Sequence, residues 1–203
     1  IPWIKKNSPL NKNQSNWKTY SASNIKKDKG WPKPIKLSYK QIKSITNDYL
    51  RTAKMAKKIG FDGIEIHMAH GYLLHQFISP ISNNRKDLYG GNLNNRLRFP
   101  VEIVKKIRKI WPRKRILGAR ITGSDHLKGG LNVNDAIFFA KKLEKMGVNY
   151  VCVSSGGILT KTNLNPNKKA FRLKIAEKIR RRTKILVRVS GNLNYPNILK
   201  KVV

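Results

Sequence analysis

The sequence is short of carboxylates: ten Asp and Glu stand against 44 Lys and Arg in 203 residues, a formal net charge of +34. It holds a single cysteine, Cys152, which excludes an internal disulfide framework and a multi-cysteine metal site. A lone thiol suits a reducing compartment, so the expected location is the cytoplasm. No run of about 18 apolar residues occurs, and neither a transmembrane helix nor a membrane partner is expected. The opening residues, IPWIKKNSPL, lack both the apolar core of a secretory signal and an initiator Met. No Gly-rich dinucleotide fingerprint follows the first long strand, which argues against a Rossmann half. No tandem repeat or low-complexity tract stands out.

Lys (31), Ile (22) and Asn (20) are abundant instead. All three have codons dominated by A and T, so a drifting AT-rich genome would give any protein this composition. The cations spread over the whole chain, whereas nucleic-acid binders gather them in a patch or stripe. No specific nucleic-acid partner is expected, only loose association at low salt. An apolar content of 39% is enough for one core.

Residues 1–37 show no periodicity and carry Trp3, Trp17 and Trp31, too much apolar surface to leave solvated without a reason. They are expected to form one irregular segment, with residues 38–203 as the ordered body. Order begins at Ser38, a helix N-cap with Gln41 three residues on as a capping box. Ile42, Ile45, Tyr49, Ala53, Ala56 and Ile59 follow at helical spacing, and Gly60 stops the helix. The pattern then predicts a strand at Phe61–Ile66, a helix at Asn95–Ile110 and a strand at Arg115–Ile121. A helix at Val133–Met146, a strand at Tyr150–Val153, a helix at Ala170–Arg182 and a strand at Lys184–Val189 follow, with a last helix from Tyr195. Strict alternation argues for an α/β protein with a parallel sheet and helical crossovers. A TIM barrel has eight such units, of which about four are present.

Three of the four histidines fall in one run, EIHMAHGYLLHQFISP (65–80). His67 closes the predicted strand, and His70, Gly71 and Tyr72 follow at once, at the strand end where parallel α/β proteins carry their sites. Alternation sets Ile64 and Ile66 on one face and Glu65 and His67 on the other. A zinc site is disfavoured, because the spacing is i, i+3 and no third ligand is evident. From the residues alone two readings stay open. One is a pair of satisfied histidines at a turn. The other is a polar clamp, two imidazoles holding one oxygen with the Tyr72 phenol as proton donor. His75 is read as structural and Cys152 as a small buried residue.

The run HMAHGYLLHQFISP (67–80) with SNNRKDLYGGNLNNRLRF (82–99) resembles the Old Yellow Enzyme family of flavin-dependent ene-reductases. The similarity continues in LGARITGSD (117–125) and YVCVSSGG (150–157), and more weakly upstream in YSAS (20–23) and LSYKQI (37–42). It implies a TIM (β/α)8 barrel with FMN held non-covalently at its C-terminal face. NADPH or NADH would be the reductant, and the substrate a small molecule with an activated C=C bond, an enone or nitro compound. His67 and His70 match the pair that grips the substrate oxygen, where charge develops. Tyr72 matches the proton donor and Arg120 the flavin-ring contact, while Gly191 could approach the FMN phosphate. Arg120 is expected to face inward near Glu65.

The resemblance makes Arg85, Asp87, Tyr89, Gly90, Gly91, Arg96 and Arg98 mainly structural, with Asn94 and Asn95 capping the next helix. The chain then matches the fourth to seventh β/α units, preceded by the third helix. The first three strands and the eighth, which supply further flavin contacts, are not in it. An incomplete portion of the enzyme is therefore expected. The expected partner is a complementing chain with the missing strands, or a second copy of this one. A degenerate remnant and a polyanion-binding protein without catalysis are the alternatives.

Overall fold

The computed structural model describes residues 9–10, 17–161, 163, 165, 169–194 and 196–199. Trp3 and Tyr195 lie outside them. In chain order the elements are β1 (Tyr20–Ser21), β2 (Ile35–Lys36), α1 (Tyr39–Ile59), β3 (Gly63–Met68), α2 (Leu73–Ile78), α3 (Leu93–Arg96) and α4 (Arg98–Ile110). They continue with β4 (Ile116–Thr122), α5 (Val133–Lys145), β5 (Tyr150–Ser154), α6 (Leu173–Arg180), β6 (Leu186–Val189) and α7 (Pro196–Leu199). The main sheet is parallel, in the order β3-β4-β5-β6, as strand–helix alternation requires. A separate parallel pair, β1 with β2, sits inside the segment read as irregular.

One face of the main sheet is apolar and covered. Ile66, Met68, Leu117, Ala119, Ile121, Val151 and Val153 belong to the same core as Ile42 and Ala53 of α1, Ile103 and Ile107 of α4, and Phe139 and Leu143 of α5. Helix α1 has its expected ends: Ser38 and Gln41 form the capping box, and Gly60 closes it in the left-handed region at φ 102°. Its Ile59 is exposed rather than part of the stripe.

Several expected boundaries move. The strand read at Phe61–Ile66 runs from Gly63 to Met68, so His67 lies within it rather than closing it. The helix read at Asn95–Ile110 is two helices that meet at Leu97, and Asn92, not Asn94 or Asn95, caps the first through the Asn95 N–H. The helix read at Ala170–Arg182 shrinks to Leu173–Arg180. A short helix, α2, went unread because its six residues give less than two turns of periodicity.

The opposite face of the sheet is polar and layered. Strand register aligns Glu65, Gly118, Tyr150 and Leu186 in one row, and His67, Arg120, Cys152 and Arg188 in the next. Gly118 has a packing reason: a Cβ there would meet the Tyr150 ring at 2.2 Å. The ring passes over Gly118, and the Tyr150 hydroxyl donates to Glu65 Oε2 at 2.9 Å. Arg188 lies 3.8 Å from the same oxygen. Glu65 is thus partnered by Tyr150 and Arg188, and Arg120 stands one row further along the adjacent strand on the same face. Arg120 faces the polar side as expected, but its register partners are His67 and Cys152.

Candidate active site

The strand β3 delivers His67, and the turn after it delivers His70 and Tyr72. The His67 and His70 rings lie edge to face with centroids 5.1 Å apart, and the Tyr72 ring is 5.2 Å from that of His67. The three side chains read from the sequence therefore share one space at the C-terminal end of the sheet. Tyr72 is the N-cap residue of α2 and is 63% exposed. His70 has φ 59°, an uncommon conformation for a residue with a side chain. That strain at a polar constellation is characteristic of functional turns.

Both imidazoles are held neutral. Burial lowers the pKa of His70 to about 4, helped by the positive charge of Arg120. Burial and Arg120 also lower that of His67, against a smaller opposing pull from Glu65. A neutral imidazole offers one N–H donor and one lone pair. His70 Nε2 sits 2.5 Å from Ser154 Oγ at the end of β5. Ser154 is therefore a member of the site, on the polar face in line with Tyr150 and Cys152. Alternation in YVCVSSGG put it on that face, but nothing in the sequence paired it with a histidine 84 positions away.

Two glycines join the loops beneath this pair. Gly71 has φ 73°, and a Cβ on it would lie 2.1 Å from the Gly157 carbonyl oxygen. Gly157 has φ 93°, and its Cβ would lie 2.7 Å from His70 backbone atoms. The loops after β3 and β5 thus touch backbone to backbone.

Arg172 is a further cation at the site. Its Nε donates to Ser155 Oγ and its Nη1 to the Ser190 carbonyl, at 3.1 Å each. Gly191, the candidate phosphate contact, lies against it: a Cβ at Gly191 would be 2.8 Å from Arg172 Nη1. Gly191 therefore makes room for Arg172. Arg85 is structural. Its Nη1 donates to the Ala22 and Leu37 carbonyls, and its Nη2 meets Asp87 at 2.7 Å. It pins β1 and β2 to the loop after α2. A cavity of about 290 Å³ opens where this small sheet meets the β3 and β5 loops, with Trp17, Trp31, Gly71 and Ile158 in its wall.

A family model described as the NADH:flavin oxidoreductase / NADH oxidase family matches residues 7–198. The chain belongs to this family. The NADPH dehydrogenase of Listeria welshimeri serovar 6b is 40% identical over 171 residues, which cover 84% of this chain and 49% of that protein. Morphinone reductase superposes with a TM-score of 0.71 at 26% identity, covering 90% of this chain and 51% of the other. The old yellow enzyme homologue from Zymomonas mobilis gives a TM-score of 0.73 at 23% identity, covering 94% and 55%. The fold is that of the family's TIM barrel, of which the main sheet and its helices are four consecutive units. The chain spans about half the length of the curated relatives it matches.

The polar face suits the flavin that the family name implies. His67 Nδ1, Arg120 Nε and Thr122 Oγ1 are buried there without a hydrogen-bond partner among the described residues. Buried polar groups of this kind are normally satisfied, and a flat heterocycle with several acceptors and donors matches them. Among the described residues no cluster of three His, Cys, Asp or Glu could hold a metal ion, and no helix is long and apolar enough to cross a membrane.

Proposed function

We propose that the chain carries the substrate side of an FMN-dependent oxidoreductase that reduces activated C=C bonds of enone or nitro compounds with NADPH or NADH. The single observation behind this reading is the convergence of His67, His70 and Tyr72 beside Arg120 at the C-terminal strand ends. His67 and His70, both neutral, present N–H donors to one substrate oxygen and stabilise the charge that grows on it. The Ser154 hydroxyl can donate to or accept from His70 Nε2, and where it donates the His70 proton sits on Nδ1. The Tyr72 hydroxyl gives its proton to the substrate's α-carbon. Arg120 would hold FMN at its ring, and Arg172 with the Gly191 loop would face its phosphate. When bound, FMN supplies the hydride chemistry. Trp17 and Trp31, at the cavity, would form part of the substrate-side wall. The relatives named NADPH dehydrogenase favour NADPH, and a cytoplasmic location fits that reductant.

The test reconstitutes the enzyme. This chain is mixed with the unmatched remainder of the Listeria welshimeri relative, and NADPH oxidation with cyclohexenone is followed. Activity should appear in the mixture and fall by roughly 10²–10³ in kcat on His70→Ala, the scale of one oxyanion donor. Wild-type rates from the variant would overturn the assignment.

A further inference from the structure

Among four histidines and ten carboxylates, one of each is withdrawn wholly from solvent, and the two are paired. His75 Nε2 and Asp125 Oδ1 are 2.9 Å apart with both side chains at 0% exposure. His75 Nδ1 accepts the Gly71 N–H at 2.8 Å. That donor fixes the tautomer: Nδ1 must offer a lone pair, so the ring proton sits on Nε2, the nitrogen on the Asp125 side. The second Asp125 oxygen accepts the Ser79 hydroxyl and the Leu131 N–H, at 2.7 Å each. Burial pushes the Asp125 carboxyl up, but hydrogen bonds from His75, Ser79 and Leu131 outweigh this and leave it below the ordinary range.

We infer that His75 and Asp125 form a buried positioning pair that sets the turn on which His70 and Tyr72 stand. Gly71 lies between those two residues, and its N–H is the group the pair holds. Asp125 comes from the loop after β4, so the pair ties that loop to the β3 turn. A packed apolar pair could replace a buried polar one without loss of stability, but it would leave the Gly71 N–H unsatisfied. Only the chemical roles of His70 and Tyr72 rest on the proposed function; the brace itself does not.

The experiment therefore needs neither cofactor nor turnover. In the isotopically labelled chain, NMR follows Gly71 amide exchange and the titration of His70. His75→Asn places its Oδ1 where Nδ1 was and keeps the acceptor for Gly71. His75→Gln places its amide nitrogen where Nε2 was, keeping Asp125 and losing that acceptor. In His75→Gln, Gly71 exchange should speed up roughly tenfold, the scale of one lost hydrogen bond. The His70 midpoint should rise from about 4 toward its unperturbed value as the ring gains solvent and moves away from Arg120. His75→Asn should leave both near wild type. Equal effects from the two variants, or an unmoved His70 midpoint in folded His75→Gln, would mean packing alone and overturn the inference. If neither variant folds, the wild-type imidazole 15N shifts decide. A proton on Nε2 supports the brace, and a proton on Nδ1 refutes it.

Discussion

His70 ties the chemistry of the site to acid stability. Its folded pKa of about 4 lies below the ordinary 6.5, and that of His67 is lowered too. Between these limits the unfolded chain binds more protons than the folded one, so stability rises with pH there. The contribution is complete above about 6.5 and is lost as pH falls toward 4. Thermal melts from pH 7.5 to 4.5 should show this decline, and His70→Asn should flatten it. An unchanged slope would place the proton uptake elsewhere. Gly71→Ala should cost about 3 kcal/mol, from positive φ and a backbone clash together, and denaturant unfolding reads it directly. The sequence made His67, His70 and Tyr72 legible because they are nearly adjacent, so local geometry alone brings them to one strand end. It hid Ser154, Asp125 and Arg172, whose roles depend on how separate strand ends align.

Among the elements, the long ones were legible and the short ones were not. Helix α1 announced both ends, because a capping box and a left-handed glycine are local chemistry. Ser38→Ala should therefore lower stability by about 1 kcal/mol. The pair β1–β2 has only two residues per strand, too few for any alternation, and a distant side chain holds it. Arg85 donates to the carbonyls of Ala22 and Leu37 at 2.9 and 2.8 Å, beside the two strands. Arg85→Met removes those donors and strands Asp87 without its cation, at a cost of about 3–5 kcal/mol. Hydrogen exchange should then rise first at residues 20–22 and 35–37. Uniform loss of protection across the main sheet would show that Arg85 serves the whole core instead.

For the molecule as a whole, the sheet is a wall with two open ends. Among the described residues β3 and β6 pair on one side only, and Leu186 on the polar face is 68% exposed. A barrel removes such edges by closing on itself. The chain by itself should thus bind FMN poorly, and flavin fluorescence titration should show binding only once the complementary half of a relative is added. A stoichiometric micromolar complex with this chain alone would contradict that expectation. Self-association should rise with salt as the +34 charge is screened, which sedimentation can follow. The backbone contact between Gly71 and Gly157 has a bearing on shuffled genes. A recombination breakpoint anywhere between those positions brings the two loops from different parents. Such a chimaera keeps the His70–Ser154 meeting point only when each parent contributes glycine at its own side of the seam.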